Sequence, residues 1–508
     1  MRPLINLCRR LYCKHMPTSA GFHEECNATI YAVATGGVRS ALSVIRVSGP
    51  NSSLVVKNLG RYSGRDTHKF PKPRFATLRK LYDPNTGSLL DHGILLWFPG
   101  PHSYTGEDCC EFHIHGSVSV ITGVLKAIGS IAGCHPAEAG EFTKRAFLNG
   151  KLDLTEVDGL ADLIAAETEF QRVQALKQMG GGLSRMYHNW RDRLAKCLAN
   201  SEAFIDFGED ENIESDVLQN VAKEVTLLVQ EISNHLQDQK KGQRLRDGAR
   251  VAIIGRPNVG KSTLLNKLCG RDAAIVSNIP GTTRDVIETC MNIHGFPVIF
   301  ADTAGIRHST TDSIENEGMK RSLKEIETAD LILLLTDTSN SQLQLNLQSC
   351  SLKEQLLHDL LSPSFTSEDP KNVRLELLVP KTILIVNKID LIQSSEKINN
   401  QPFANADCQI SCKTDNGVDQ MHQLIRKRIM EICGDPNTDP PHVTQERYRV
   451  ELNHCLQNLI EFLEFKESDL ALRTQYLKQS INAVGRITGH VGTEQILDII
   501  FRDFCIGK

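Results

Sequence analysis

Length, composition and charge set the outer limits for this chain. It has 508 residues, of which 40% are hydrophobic, and a formal net charge of -4. That length is sufficient for about three domains of ~150 residues each. The charge excludes a broad cationic surface, so any nucleic acid is expected to bind a local patch or through a partner. The 15 cysteines include no CxxC pair, which argues against a zinc ribbon or a secreted disulfide framework.

The N-terminal segment has the composition of a targeting sequence. Arginines and a lysine alternate with leucines before the first acidic residue, Glu24. A basic, amphipathic and acid-poor start is typical of a mitochondrial presequence. We therefore interpret residues 1–27 as a presequence that directs the protein to the mitochondrial matrix. The alternative is a disordered basic tail.

Two periodicities divide the next part of the chain. Residues 28–150 contain short alternating runs such as Ser43–Val47 and predict an α+β domain. In residues 151–248 the apolar positions recur at helical spacing, and a long helix is expected to begin near Thr155.

The second half of the chain predicts an insertion. Residues 249–434 alternate between strand and helix patterns, which favours an α/β unit, and residues 435–508 return to helical spacing. The overall prediction is a multidomain α+β protein in which a Ras-like P-loop domain interrupts a discontinuous helical domain. Within the inserted domain, the polar stretch 339–379 is interpreted as a surface insertion.

A P-loop follows the first strand of the inserted domain. Residues 255–262, GRPNVGKS, fit the pattern G-x-x-x-x-G-K-[ST] between an apolar strand and a helix. Lys261 is expected to reach the β- and γ-phosphates, and Ser262 to ligate Mg²⁺. The predicted nucleotide contacts of this segment are Asn258, Val259, Gly260, Lys261, Ser262 and Thr263.

Two further segments predict contacts to magnesium and the γ-phosphate. The sequence DTAG follows a strand-like run and supplies a carboxylate and a flexible glycine amide, while GTTRD supplies Thr283 as a second magnesium ligand. Ile306 stands where small GTPases carry a water-orienting glutamine, so another group must stabilise the developing charge. The predicted contacts are Ser277, Thr282, Thr283, Asp302, Thr303, Ala304 and Gly305.

Two loops predict that the base is guanine. Asp390, in the sequence NKID after an apolar strand, can accept hydrogen bonds from N1–H and the exocyclic amine of guanine, whereas adenine presents an acceptor there. The sequence SCK fits the loop whose backbone amides approach O6. The predicted base contacts are Asn387, Lys388, Asp390, Ser411, Cys412 and Lys413.

Outside the nucleotide motifs, four segments resemble one family closely. They are LWFPGP at 96–101, YTGED at 104–108, RAFLN at 145–149 and the terminal CIGK at 505–508. This combination is similar to the tRNA-modification GTPases called MnmE or TrmE, and specifically to their mitochondrial members. The resemblance implies a homodimer that works with an FAD-dependent flavoprotein, MnmG. It also implies modification of tRNA at C5 of the wobble uridine, with a taurine-derived group in mitochondria.

The resemblance also implies ligands for the N-terminal domain and for the GTPase cycle. A tetrahydrofolate, in its 5-formyl or 5,10-methylene form, is expected at positions matching Arg46, Glu111, Lys151 and Lys508. Glu111 would face the pterin, and Arg46 and Lys151 would pair with the distant glutamate tail. Potassium is expected at Asn258, Ser277, Ile279 and Thr282. Catalysis is assigned to Glu315, Lys261 and Thr283, with Glu317 as the alternative to Glu315.

Other interpretations stay open at this point. Arg46 and Glu111 are, without the resemblance, ordinary solvated strand residues. Cys505 is a structural thiol or a reactive one. The sequence from Gly489 to Gly492 fits the GxxG clamp of a KH module, which would suit a ribosome-assembly GTPase. A nucleotide-gated scaffold that binds no cofactor is the third possibility.

Overall fold

The computed structural model describes most of the chain and divides it into two compact units. The described residues are 28–36, 39–61, 70–207, 216–238, 240–271, 275–278, 289–300, 326–338, 349–361, 375–391, 406–438, 440–464, 470–491, 500–501, 504 and 507. The first unit, called the N-terminal unit, comprises Met1–Ala161 and Gly489–Lys508; the second comprises Asp162–Thr488. In these described ranges no helix is both long and apolar enough to span a membrane.

A mixed seven-stranded sheet forms the centre of the N-terminal unit, in the order β3-β4-β5-β6-β2-β1-β7. All neighbouring strands are antiparallel except β1 and β7. The strands are β1 Thr29–Val33, β2 Leu42–Ser48, β3 Gly60–Arg61, β4 Thr77–Tyr82, β5 Leu89–Phe98, β6 Cys109–His115 and β7 Cys134–Pro136. The helices are α1 Ser52–Leu59, α2 Val118–Gly129, α3 Glu141–Leu148 and α4 Leu154–Ala165, the last of which continues into the second unit.

One face of this sheet is covered and the other carries polar groups. Ile45, Val47 and Phe112 are buried beneath α1 and α2. Because side chains alternate along a strand, Arg46 and Glu111 lie on the opposite face. The alternating run predicted at Ser43–Val47 therefore forms a strand whose two faces have different functions.

The C-terminal end of the chain packs within the N-terminal unit. Phe501 and Phe504 are buried with Leu154 and Val157. The sequence had grouped these residues with the second helical segment, 435–508. The structure differs because the two phenylalanines bury their rings beside α4.

Four long helices form one core of the second unit. Trp190, Tyr448 and Leu477 are among its buried residues. The helices are α6 Gly182–Phe207, α7 Asp216–Leu236, α13 Glu446–Glu464 and α14 Leu470–Thr488, and the shorter α5 Glu169–Met179 precedes them. The single long helix expected from Thr155 is instead divided into α4, α5 and α6, with breaks before the N-cap Thr168 and at Gly181, whose φ is 76°.

The second unit also contains the predicted α/β domain. Its sheet has the order β14-β13-β12-β8-β11-β10-β9, and β8, β11, β12, β13 and β14 are parallel to their neighbours in that set. The strands are β8 Ala249–Gly255, β9 Ile275–Asn278, β10 Thr289–Ile293, β11 Phe296–Phe300, β12 Leu331–Asp337, β13 Thr382–Asn387 and β14 Cys408–Gln409. The helices are α8 Lys241–Asp247, α9 Lys261–Arg271, α10 Ser349–Leu361, α11 Leu375–Leu378 and α12 Val418–Cys433. Short 3-10 turns occupy Val379–Lys381 and Ile389–Leu391.

Part of the expected surface insertion is a core helix. Leu352, Leu356 and Leu357 of α10 are buried against Ile332 and Leu384 of the sheet. The interpretation of 339–379 as a surface insertion was therefore wrong for α10, because its leucines lie on one helical face and cover one side of the parallel sheet. A multidomain α+β fold is confirmed.

Candidate guanine nucleotide site

The P-loop connects β8 to the N-terminus of α9, as its motif predicted. Asn258 and Gly260 have φ values of 62° and 102°, so the loop passes twice through the left-handed region, which glycine adopts without strain. A Cβ on Gly260 would overlap the side-chain amide of Asn387. Ser262 and Thr263 are exposed at the start of α9, where helix amides and the helix dipole favour phosphate.

Lys261 is held over the P-loop in this structure. Its Nζ donates to the carbonyl oxygens of Gly255 at 2.7 Å and Arg256 at 2.9 Å. Burial lowers its pKa from the ordinary lysine value. The ammonium group is therefore positioned at the phosphate loop, where phosphate oxygens can replace the two carbonyl acceptors.

Asn387 joins the P-loop to the base-binding loops. Its Nδ2 donates to the carbonyl of Val259 at 2.9 Å, and its Oδ1 accepts from the amide of Cys412 at 3.1 Å. The side chain is 2% exposed, so both bonds are shielded from water. Asn387 thus fixes two of the predicted segments relative to each other, which is a positioning function.

Asp390 is an ionised acceptor at the rim of the site. The hydroxyl of Ser411 donates to Asp390 Oδ1 at 2.6 Å, and the amide of Thr414 donates to Ser411 Oγ at 3.2 Å. The hydrogen bond from Ser411 is the main cause of the lowered pKa of Asp390. A carboxylate kept in its charged form is what the N1–H and amine of guanine require. The exposed Lys413 follows in the same loop.

Two ion pairs brace these loops, and the sequence did not reveal them. Lys388 Nζ lies 2.9 Å from Asp337 Oδ2 at the end of β12, and Lys267 Nζ of α9 lies 2.6 Å from Asp415 Oδ1. The sequence signal for the first pair was the position of Asp337 at the end of an apolar strand, in register with Asn387. No comparable signal existed for the second pair.

Several predicted site residues lie outside the part of the chain that the structure describes. For Ser277 only the backbone, in β9, is described. The others are Ile279, Thr282, Thr283, Asp302, Thr303, Ala304, Gly305, Glu315 and Lys508. The structure therefore brings together the P-loop and both guanine loops, and the magnesium, potassium and catalytic assignments stay predictions.

In the N-terminal unit, Arg46 and Glu111 form an ion pair across two strands. They are in register on β2 and β6, with Arg46 Nε 3.0 Å from Glu111 Oε1 and side chains 19% and 18% exposed. The Arg46 guanidinium lies 4.9 Å from the ring centre of Tyr104. His113 Nε2 is 3.6 Å from the second carboxylate oxygen. These residues are therefore not solvated strand positions, and the idea that Arg46 stands apart from Glu111 was wrong.

Buried and half-buried polar residues support the loop beside this pair; we call Ser48, Thr105, Glu107, Glu141 and Arg145 the N-terminal polar cluster. Arg145 Nη1 donates to both oxygens of Glu107 at 3.2 and 3.0 Å, and Nη2 donates to Glu141 at 3.3 Å. Ser48 Oγ donates to Glu107 at 2.6 Å. The YTGED and RAFLN motifs, used above only as a signature, thus meet in one network.

The structure also shows the contacts of two other residues that the sequence singled out, Lys151 and Gly489. Lys151 Nζ donates to the carbonyl of Pro101 at 3.1 Å, which places it at the LWFPGP loop. Gly489 has a φ of 88°, and a Cβ there would lie 2.6 Å from the ring of Phe147. Tight packing against this ring accounts for the first glycine of the GxxG sequence without an RNA contact.

The P-loop, the parallel sheet and the two guanine loops define a P-loop GTPase domain. The whole chain resembles known proteins. The model of the TrmE N-terminus matches residues 29–151 and that of the MnmE helical domain matches residues 154–505. A Danio rerio protein described as 5-taurinomethyluridine-[tRNA] synthase subunit GTPB3, mitochondrial, is 45% identical over 99% of this chain and 96% of its own length.

Two further relatives extend the comparison. The human protein of the same description is 45% identical over 95% of this chain and 93% of its own length. The tRNA modification GTPase MnmE of Parvibaculum lavamentivorans is 41% identical over 94% of this chain and 100% of its own length. The chain belongs to the MnmE/TrmE family of tRNA-modification GTPases and is a GTP-hydrolysing enzyme.

Proposed function

We propose that this GTPase acts in the mitochondrial matrix on C5 of the wobble uridine of mitochondrial tRNAs, together with an FAD-dependent partner of the MnmG type. The group installed is of the taurinomethyl or aminomethyl type. The observation that carries the proposal is similarity to the GTPB3 and MnmE proteins over nearly the whole chain. Because that similarity includes the N-terminal unit, it supports a shared reaction and not only a shared nucleotide module.

The residues of the N-terminal unit fit a reduced folate, 5-formyl- or 5,10-methylenetetrahydrofolate, which supplies the one-carbon unit when bound. Glu111 offers a carboxylate acceptor for the donor edge of a pterin, and the aromatic ring of Tyr104 lies beside its partner Arg46. Lys151, at the neighbouring loop, offers a cation for a folate carboxylate. We assign Lys508 to the same site from the family resemblance.

The nucleotide site is proposed to use two cations and a homodimer. Ser262 and Thr283 would ligate Mg²⁺, and Asn258, Ser277, Ile279 and Thr282 would surround K⁺. The exposed position of Asn258 and Ser262 at the P-loop supports both assignments. Potassium would supply the positive charge that the hydrophobic Ile306 cannot, and Glu315 would act as the general acid or base through a water bridge.

Mass spectrometry of mitochondrial tRNA tests the proposed reaction. Cells lacking this protein should lose the C5 modification of the wobble uridine. Wild-type protein should restore it, and a Lys261→Ala variant should not. Normal modification in the absence of the protein would contradict the proposal and would favour a nucleotide-gated scaffold.

A GTPase assay in different salts tests the potassium site. Hydrolysis should be faster in potassium than in sodium, and Asn258→Ala should weaken the response. Glu315→Ala should lower kcat by about 10²- to 10⁴-fold, the usual contribution of general acid-base catalysis, with little change in GTP affinity. Equal rates in both salts would exclude the cation, and the same kcat loss in Glu317→Ala alone would move the assignment by two residues.

A further inference from the structure

Helix α5, which lies outside the GTPase domain in sequence, contacts the turn between β10 and β11. The rings of Phe170 and Phe296 are 4.4 Å apart between centroids at an interplanar angle of 51°, and the amide of Phe170 donates to the carbonyl of Gly295 at 3.2 Å. Phe170 sits in the first turn of α5, which begins with a capping box formed by Thr168 and Gln171. Its position is therefore fixed by the start of the helix.

The β10–β11 turn is shaped to receive this ring. Gly295 has a φ of 92°, and a Cβ there would lie 3.1 Å from the Phe170 ring. The amide of Gly295 donates to Asn292 Oδ1 at 2.8 Å, which closes the turn. Five cross-strand pairs, from Thr289 with Phe300 to Ile293 with Phe296, then make β10 and β11 one hairpin. A displacement of the turn would consequently move both strands together.

Helix α5 has a second attachment, on the segment that leads into the P-loop strand. Gln171 Nε2 donates to the carbonyl of Arg246 at 2.8 Å, and Gln174 Nε2 donates to that of Gly242 at 3.2 Å. Arg246 also pairs with Asp162 at 2.7 Å. Helix α8, which carries these carbonyls, continues into β8. One helix thus spans the hairpin and the approach to the P-loop.

The hairpin lies between two segments that are predicted to contact magnesium and the γ-phosphate. Residues 277–283, with the predicted magnesium ligand Thr283, precede β10, and residues 302–305, with Asp302, begin two positions after the end of β11. The pairing of β11 with β8 sets the spacing between the hairpin and the P-loop. We propose that Phe170 is a positioning residue for GTP hydrolysis. It holds the β10–β11 hairpin in the position that the two segments at its ends require.

This role predicts an effect on the turnover of GTP and not on the affinity for GDP. The guanine loops follow β13 and β14, which are separated from β11 by β8 and β12. Removal of the Phe170 ring should therefore leave GDP affinity unchanged. Because an aromatic pair typically contributes ~0.5 to 1.5 kcal/mol beyond its buried area, kcat should fall by about 2- to 13-fold in Phe170→Ala.

The experiment uses the full chain and three variants. Phe170→Ala removes the ring, Phe170→Leu keeps an apolar side chain, and Leu176→Ala is a matched deletion at an exposed position of the same helix. Steady-state GTP hydrolysis, GDP affinity and thermal unfolding are measured for each. The proposal requires a lower kcat in Phe170→Ala, partial recovery in Phe170→Leu, and wild-type values in Leu176→Ala. Equal kcat in all folded variants would overturn it, as would a parallel loss of GDP affinity.

A second measurement needs no variant and covers the case in which Phe170→Ala does not fold. Hydrogen exchange of the wild-type chain is compared with GDP and with a non-hydrolysable GTP analogue. Amides of the β10–β11 turn and of the first turns of α5 should change their protection together. A nucleotide-dependent change in the hairpin with unchanged exchange in α5 would show that Phe170 does not respond to the hairpin.

Discussion

The guanine site and the N-terminal polar cluster both use charged side chains, but they differ in how far those side chains are buried. Asp390 is exposed and the Lys267–Asp415 pair is half-buried, at a rim where the loops that hold them must also admit a ligand. Arg145, in contrast, has a side chain that is 5% exposed and faces two carboxylates. In the first region charged groups brace the loops and also face the ligand, whereas in the second they hold a loop in place.

This difference determines what each substitution should affect. The attraction between charges at the rim is screened by solvent and contributes little to folding. When one partner of a buried pair is removed, in contrast, the other is left as an uncompensated ion in a medium of low dielectric constant. Substitutions in the polar cluster should therefore change the stability of the N-terminal unit. Those in the guanine site should change nucleotide binding with little effect on stability.

The largest expected effect is on stability, in Arg145→Met. Loss of the guanidinium leaves Glu107 and Glu141 close together without their shared cation. Because their side chains keep 20% and 25% of their exposure, we expect a cost of about 3 kcal/mol, the lower end of the range for a broken buried pair. The chain has 2 tryptophans, so a Trp190→Phe background leaves Trp97 as the fluorescent reporter of the N-terminal unit during urea unfolding.

Two control variants test whether the loss of stability comes from the uncompensated carboxylates. Arg172→Met removes a cation from an exposed pair with Glu169 and should leave the Trp97 transition unchanged. Adding Glu107→Gln to Arg145→Met should recover part of the loss, because it removes one of the uncompensated charges. An Arg145→Met transition at the wild-type urea concentration would show that the cluster does not support the unit.

Folate binding should be the next largest effect. Glu111→Ala removes the proposed acceptor for the pterin, and a hydrogen bond to a charged group contributes about 1.5 to 3 kcal/mol. Calorimetry with 5-formyltetrahydrofolate should show this loss, while GTP turnover stays at the wild-type rate. Glu138→Ala, at an exposed position of the same unit, is the control. Equal folate affinity in both variants would make the Arg46–Glu111 pair purely structural.

The same contrast explains how much could be predicted from the sequence. The P-loop and guanine motifs are contiguous, so their chemistry could be recognised before their geometry was known. The polar cluster joins Ser48, residues 105–107 and residues 141–145, and no local pattern reports contacts between such distant segments. Likewise, the leucines of α10 could not be assigned to the core until the sheet that they cover was known.

Base selectivity offers a test within the guanine site. Asp390→Asn replaces an acceptor with a donor opposite the exocyclic amine of guanine, so GTP affinity should fall by roughly 10- to 100-fold. Xanthosine triphosphate, which carries an oxygen at that position, should become the better substrate. Competition assays against labelled GDP measure both effects, and ATP should remain a poor competitor throughout. An unchanged preference for GTP would remove Asp390 from base recognition.

The smallest effect is expected for the ion pair between Lys267 and Asp415. Their side chains are 32% and 39% exposed and their charged atoms are 2.6 Å apart, so solvent and salt screen the attraction. Exposed pairs typically contribute ~0.2 to 1 kcal/mol, which corresponds to about 1.5- to 5-fold faster release of a fluorescent GDP analogue in Lys267→Met or Asp415→Asn. The charge-reversed double variant, Lys267→Asp with Asp415→Lys, should restore part of the retention, and 1 M salt should remove the difference between all four proteins, since the Debye length is then only about 3 Å. A difference that persists in high salt would mean that Lys267 positions the guanine loop through packing of its side chain against the loop. The rim of the guanine site would then resemble the N-terminal polar cluster, because its side chains would hold a loop in place by a contact that salt does not screen.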